Sequence, residues 1–142
     1  MMAYCQSLMF GVAVFFLISL KVGWAEVIDV DNLSLQQLLE KDVKIIDLRR
    51  VDEWMETGVV EHSIKLTFFD KHGQHNAKRW LETVSELVES QESVILICHS
   101  GVRSRIVANW LDNVSDYPQI YNVKAGIAKW IEKELPVTSA GN

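Results

Sequence analysis

Thiols are scarce in this chain: among 142 residues there are two cysteines, Cys5 and Cys98. So small a supply excludes a disulfide framework as the source of stability. Positive charge is also short, with 14 Lys and Arg against 19 Asp and Glu and a formal net charge of -5. Phosphate backbones are bound by clustered basic residues, so nucleic-acid binding is set aside and any anion site has to be local. Internal repeats, low-complexity stretches and linkers are missing from residues 26 to 142. The length suits one ordinary α/β domain, with enough apolar content for a real core and no room for a second.

The apolar run LMFGVAVFFLISL, from Leu8 to Leu20, is too short to span a bilayer comfortably and reads as the core of a signal peptide. Gly23 and Ala25 are small residues placed for a cut before Glu26. The expected organisation is therefore residues 1–25 as a signal peptide and 26–142 as the mature domain, exported, and periplasmic in a Gram-negative cell. The leading MMAYCQS lacks Lys and Arg, so an uncleaved anchor over residues 8–20 is the alternative, and only that form would touch a membrane. Cleavage removes Cys5 and leaves Cys98 as the one thiol, unpaired in an oxidising compartment.

From Glu26 onward, short β-branched runs alternate with amphipathic segments, the pattern of a parallel sheet covered by helices. Strands are expected at 27–30, 43–50, HSIKLTFF (62–69), 93–97 and 119–123. A first helix carries Leu35, Leu38 and Leu39 on one face, with Ser34 or Asn32 as its cap. DEWMETG forms a short helix closed by Gly58. Ala77, Trp80, Leu81, Val84, Leu87 and Val88 repeat at helical spacing within His75–Ser90, and further helices are expected at 104–113 and 126–135, the last ended by Pro136. Trp54, Trp80, Trp110 and Trp130 face the sheet as core. The final TSAGN is expected to fray.

This reading puts Cys98, in VILICHSGVRSR, at the carboxyl end of a buried strand, the edge where ligands bind in open parallel sheets. Gly101 permits a tight turn in which several N–H groups point at one anionic atom. A helix beginning near Arg103 or Ser104 adds its positive end, and together with Arg103 it favours thiolate over thiol. Burial as a small hydrophobe is the plain alternative for a free cysteine.

The chain resembles the rhodanese-like sulfurtransferases over 27–135. The resemblance rests on IIDLRR with Asp47 and Arg49, DEWMETG, VILICHSGVRS, and AGIAKW before the closing helix. It implies a rhodanese-like α/β fold, a central, mostly parallel five-stranded sheet with helices on both faces. It also implies that Cys98 carries a persulfide, with His99, Ser100, Gly101, Val102 and Arg103, and Ser104 beyond them, as the substrate-binding loop. Sulfane sulfur would pass from a small anionic donor such as thiosulfate to a thiol, cyanide or a protein cysteine, with no metal or organic cofactor. Two segments depart from the family pattern: GVVEHS (58–63) stands for GHIPGA, and Ala125–Gly126 for a Gly pair.

Two other classes share this architecture. Cysteine-dependent phosphatases and arsenate reductases place five residues between Cys and Arg, whereas Arg103 comes one place early and Arg105 one late. A non-catalytic module would keep the fold and act through a partner. Asp47 and Arg49 end their strand on the active edge, where a bracing salt bridge is favoured over a substrate contact. Arg105 is expected to point away from the pocket. His72 and His75 lack a carboxylate or cysteine at ligand spacing and belong to a loop near the rim rather than to a metal site. His99 is expected to contribute its backbone N–H, since adjacent side chains diverge. Composition carries no sign of an interface, so a monomer is the default.

Overall fold

A computed structural model describes residues 26–141. The signal-peptide and cleavage expectations, with Cys5, lie outside the described residues. The chain runs β1 (Glu26–Val30), α1 (Asn32–Leu39), β2 (Lys44–Asp47), α2 (Val51–Thr57), β3 (Ile64–Lys65), α3 (Ala77–Leu87), β4 (Val94–Ile97), α4 (Val102–Val114), β5 (Gln119–Val123) and α5 (Gly126–Glu132). All strand pairings are parallel, in the order β1-β5-β4-β2-β3. The fold is thus the expected α/β architecture, with a wholly parallel sheet.

Strand alternation sorts the apolar residues into two layers. Ile46, Val94, Leu96 and Ile120 face α3 and α4, meeting Trp80, Val84, Val107 and Leu111. Ile45, Ile95, Ile97 and Val123 face α1 and α5, meeting Leu35, Ile127 and Trp130. The central strand β4 is buried on both faces, as its unbroken VILI run requires.

Several boundaries differ from expectation for identifiable reasons. Asp31, not Ser34 or Asn32, caps α1 by accepting from the Ser34 N–H at 2.8 Å. Helix α3 starts at Ala77 because Asn76 caps it through the Arg79 N–H, while His75 stacks on Phe68. Helix α4 starts at Val102, two residues early, from a left-handed Gly101 at φ 89°. The HSIKLTFF strand is reduced to Ile64–Lys65. Beyond it the backbone still donates from Leu66 to the Asp47 carbonyl and from Phe68 to the Leu48 carbonyl, but β2 has ended at Asp47 and the ladder stops.

Trp110 is half-buried against the α3/α4 layer, whereas Trp54, Trp80 and Trp130 are buried. Thr138–Ala140, expected to fray, are held in place. Thr138 exchanges both backbone hydrogen bonds with Val59, at 2.8 and 2.9 Å, and Ala140 packs against Trp54 and Val59.

Candidate active site around Cys98

Cys98 follows β4 directly and is fully buried. Three groups able to donate lie within hydrogen-bond reach of its sulfur: the Gly101 N–H at 3.2 Å, the Ser104 N–H at 3.4 Å and the Ser104 hydroxyl at 3.3 Å. All three come from the cap and first turn of α4, and two of them are backbone N–H groups that have no partner inside the helix. A sulfur in this position sits at the positive end of the 13-residue helix α4 in a dry setting, which suits an anion.

The loop is held from the opposite side by α5. Its first N–H groups, of Ile127 and Ala128, donate to the Cys98 and His99 carbonyls at 2.9 and 3.0 Å. That contact requires close approach. Gly126 has φ +60°, and a Cβ there would collide with the His99 carbonyl and come within 2.6 Å of the Cys98 oxygen. Gly101 is similarly confined, its missing Cβ lying against the Lys124 carbonyl. Ala125, by contrast, has φ -105°, a conformation any residue adopts. Of the expected Gly pair, only the second position is sterically obligatory here.

The sequence-derived loop set separates into two groups. Cys98, Gly101 and Ser104 come together at the sulfur. His99 and Ser100 are exposed, the Val102 side chain faces solvent, and among the described residues no N–H of His99, Ser100, Val102 or Arg103 bonds Sγ. Arg103 was expected to face an anionic donor. Instead its guanidinium reaches α2, holding Glu53 at 2.6 and 2.9 Å.

Glu53 was not singled out from sequence. Burial acts to raise its pKa, but the Arg103 hydrogen bond, the Arg50 N–H and both guanidinium charges outweigh it and hold the carboxyl down to about 2. The same contact raises Arg103, against a smaller opposing effect of burial. The pair fastens α2 to the start of α4, beside the cysteine loop.

Asp47 and Arg49 form a fully buried ion pair, with Arg49 Nη2 at 2.8 Å from the carboxylate. The remaining guanidinium protons go to the Gly58 carbonyl at 2.8 Å, Thr57 Oγ1 at 2.7 Å and the Glu53 carbonyl. This is a brace between the end of β2 and the carboxyl end of α2. Arg105 points away, to Asp29 at 3.1 Å. His72 and His75 lie on the 70–76 loop, the former donating its backbone N–H to Asp70. No cluster of three or more metal-ligating side chains occurs among the described residues.

A second polar residue escaped the sequence reading. Asn122 on β5 is 2% exposed, accepts from Ser104 at 2.6 Å and donates to Asp29 at 2.8 Å. Its signal was present: in QIYNV it shares strand parity with the buried Ile120, so a polar side chain had to point into the α4 layer. A cleft of about 550 Å³ lies elsewhere, between α1, the start of β2 and Val60–His62, away from Cys98.

Known proteins show the same frame. Rhodanese-like domain-containing protein 17 of Arabidopsis thaliana is 29% identical over 79% of this chain and 73% of its own length. Thiosulfate sulfurtransferase 18 of the same plant is 26% identical over 80% of this chain and 85% of its own. The crystal structure of thiosulfate sulfurtransferase from Pseudomonas aeruginosa superposes with a TM-score of 0.65 at 22% identity, covering 82% of this chain and 21% of that one. The rhodanese-like domain model matches residues 31–133, from the cap of α1 past the end of α5 and across the whole Cys98 loop, and the chain therefore belongs to the rhodanese-like domain family.

Proposed function

We propose that the chain is a sulfurtransferase that carries sulfane sulfur on Cys98. The observation that supports this most directly is the convergence of three hydrogen-bond donors on a buried sulfur at the amino end of α4. Such preorganised donors stabilise charge on sulfur more effectively in a water-poor site than in bulk water. The names of two relatives, both thiosulfate sulfurtransferases, point to the same donor.

In the proposed reaction the Cys98 thiolate attacks the outer sulfur of thiosulfate. The thiosulfate S–S bond breaks, sulfite leaves with the electron pair, and the negative charge passes to the terminal sulfur of the new persulfide. A thiolate acceptor, from a small thiol or a partner protein's cysteine, then attacks that terminal sulfur and restores Cys98; cyanide does so in an assay. The N–H groups of His99, Ser100, Val102 and Arg103 are free of Sγ, and their proposed place is around the second sulfur, one bond farther out. Because Cys98 is fully buried, transfer also requires its sulfur to become accessible to donor and acceptor. We further propose an exported, monomeric protein; a cut before Glu26 would leave all of β1 in the mature domain.

The test is intact mass of the mature protein and of Cys98→Ser after thiosulfate, then after cyanide. The expected result is one added sulfur on the wild type alone, discharged by cyanide; a sulfinic acid of similar nominal mass would persist. No adduct from thiosulfate or mercaptopyruvate overturns the reading. Turnover of an aryl phosphate would then favour phosphatase chemistry, and its absence a binding module.

A further inference from the structure

The sulfur of Cys98 is the buried end of a polar chain that runs to Asp29 at the surface and that sulfur transfer alone does not account for. Ser104 Oγ lies 3.3 Å from Sγ and 2.6 Å from Asn122 Oδ1. Asn122 Nδ2 donates to Asp29, which also receives Arg105. Ser104 is fully buried and Asn122 nearly so. A serine hydroxyl has one proton, so it donates to the sulfur or to Asn122, never to both. The orientation of Asn122 is settled by its neighbours: a carboxylate only accepts, so Nδ2 faces Asp29 and Oδ1 faces Ser104.

We propose that Asn122 is a positioning residue that acts through Ser104. Its Oδ1 holds the serine proton whenever the Cys98 sulfur is neutral and releases it when the sulfur is a thiolate. In the thiol state, the S–H donates to Ser104 Oγ, whose own proton goes to Asn122. When the thiol proton is lost to solvent, the hydroxyl turns to the sulfur. The persulfide half of the cycle rests on the sulfurtransferase reading. There, attack on thiosulfate releases sulfite, the charge moves to the outer sulfur, Sγ becomes a neutral sulfide that accepts poorly, and the hydroxyl returns to Asn122. Without Oδ1 a buried hydroxyl is left unpaired in both neutral states, a penalty that shifts the balance toward thiolate by roughly tenfold.

The charged groups around the sulfur are Arg103 on α4, paired with Glu53 on α2, the Asp47–Arg49 pair of β2, and Asp29 on β1 with Arg105. All are unchanged in the variants that follow. The experiment is the pH profile of iodoacetamide alkylation in wild type, Asn122→Leu, Ser104→Ala and the double variant, using residues 26–142, in which Cys98 is the one thiol. Asn122→Leu is expected to move the midpoint of that profile about one pH unit lower, the tenfold change in the thiol–thiolate balance, with a lower plateau because the less basic thiolate is the weaker nucleophile. The two chains carrying Ser104→Ala are expected to react alike.

Equal midpoint shifts in both backgrounds would mean that Asn122 merely stiffens the loop, and an unshifted or raised midpoint in Asn122→Leu would equally overturn the proposal. Asn122→Val, suited to a strand, replaces Asn122→Leu if the latter does not fold. At a fixed thiosulfate-to-sulfite ratio, Asn122→Leu should also carry roughly tenfold less persulfide per thiolate. If wild type takes up no sulfur, the functional reading fails while the alkylation cycle still decides the role of Asn122.

Discussion

At the residue scale, a single glycine shows how the site limits the chain. Gly126 has both a positive φ and backbone from the cysteine loop where its Cβ would lie, so Gly126→Ala cannot be relieved by moving a side chain. It is expected to destabilise by more than about 2 kcal/mol and to disturb the Cys98 loop through the Ile127 and Ala128 hydrogen bonds. Ala125→Gly, which would recreate the family's Gly pair, should cost no more than about 1 kcal/mol, through the unfolded chain alone. Urea unfolding of the two variants checks this; comparable losses would show that the departure at Ala125 matters after all. The sequence exposed Gly126 as one member of a pair. It did not show which member is obligatory, because that depends on a carbonyl 27 positions earlier in the chain.

At the element scale, the Arg49 brace decides how α2 attaches to β2. The guanidinium saturates the buried Asp47 carboxylate and also takes up carbonyls at the end of α2, where cations are favoured. Removing the cation alone strands a buried carboxylate, and Arg49→Met is expected to lose about 3–5 kcal/mol. Asp47→Asn combined with Arg49→Met should recover part of that loss, since no uncompensated charge remains. A double variant no more stable than the single one, by urea midpoint, would contradict the charge argument. IIDLRR announced a charged strand end, and the bracing role was the favoured reading. The partners on α2 were not legible, because Thr57 and Gly58 meet Arg49 only after the chain has turned back on itself.

At the scale of the whole molecule, the Glu53–Arg103 pair joins α2 to α4 across 50 residues of sequence. Its carboxyl is depressed from an ordinary 4.5 to about 2, so it binds fewer protons when folded. The stability it lends is complete above about pH 4.5 and is lost as pH falls toward 2, on the order of 2 kcal/mol after solvent screening. Glu53→Gln should therefore flatten the fall in urea midpoint between pH 4.5 and 2; parallel curves for the two proteins would refute this. The parallel sheet, the helices on both its faces and the place of Cys98 at the carboxyl end of a buried strand were determined by sequence alone. Periodicity and β-branched runs are local, and strand parity assigns each residue a face. Tertiary structure alone decided that Glu53 rather than a substrate takes Arg103, that Asn122 stands behind Ser104, and that Thr138–Ala140 is pinned to Val59. Each of these depends on groups far apart in the chain, and hydrogen bonds and ion pairs form at particular distances and angles that only the packed helices set.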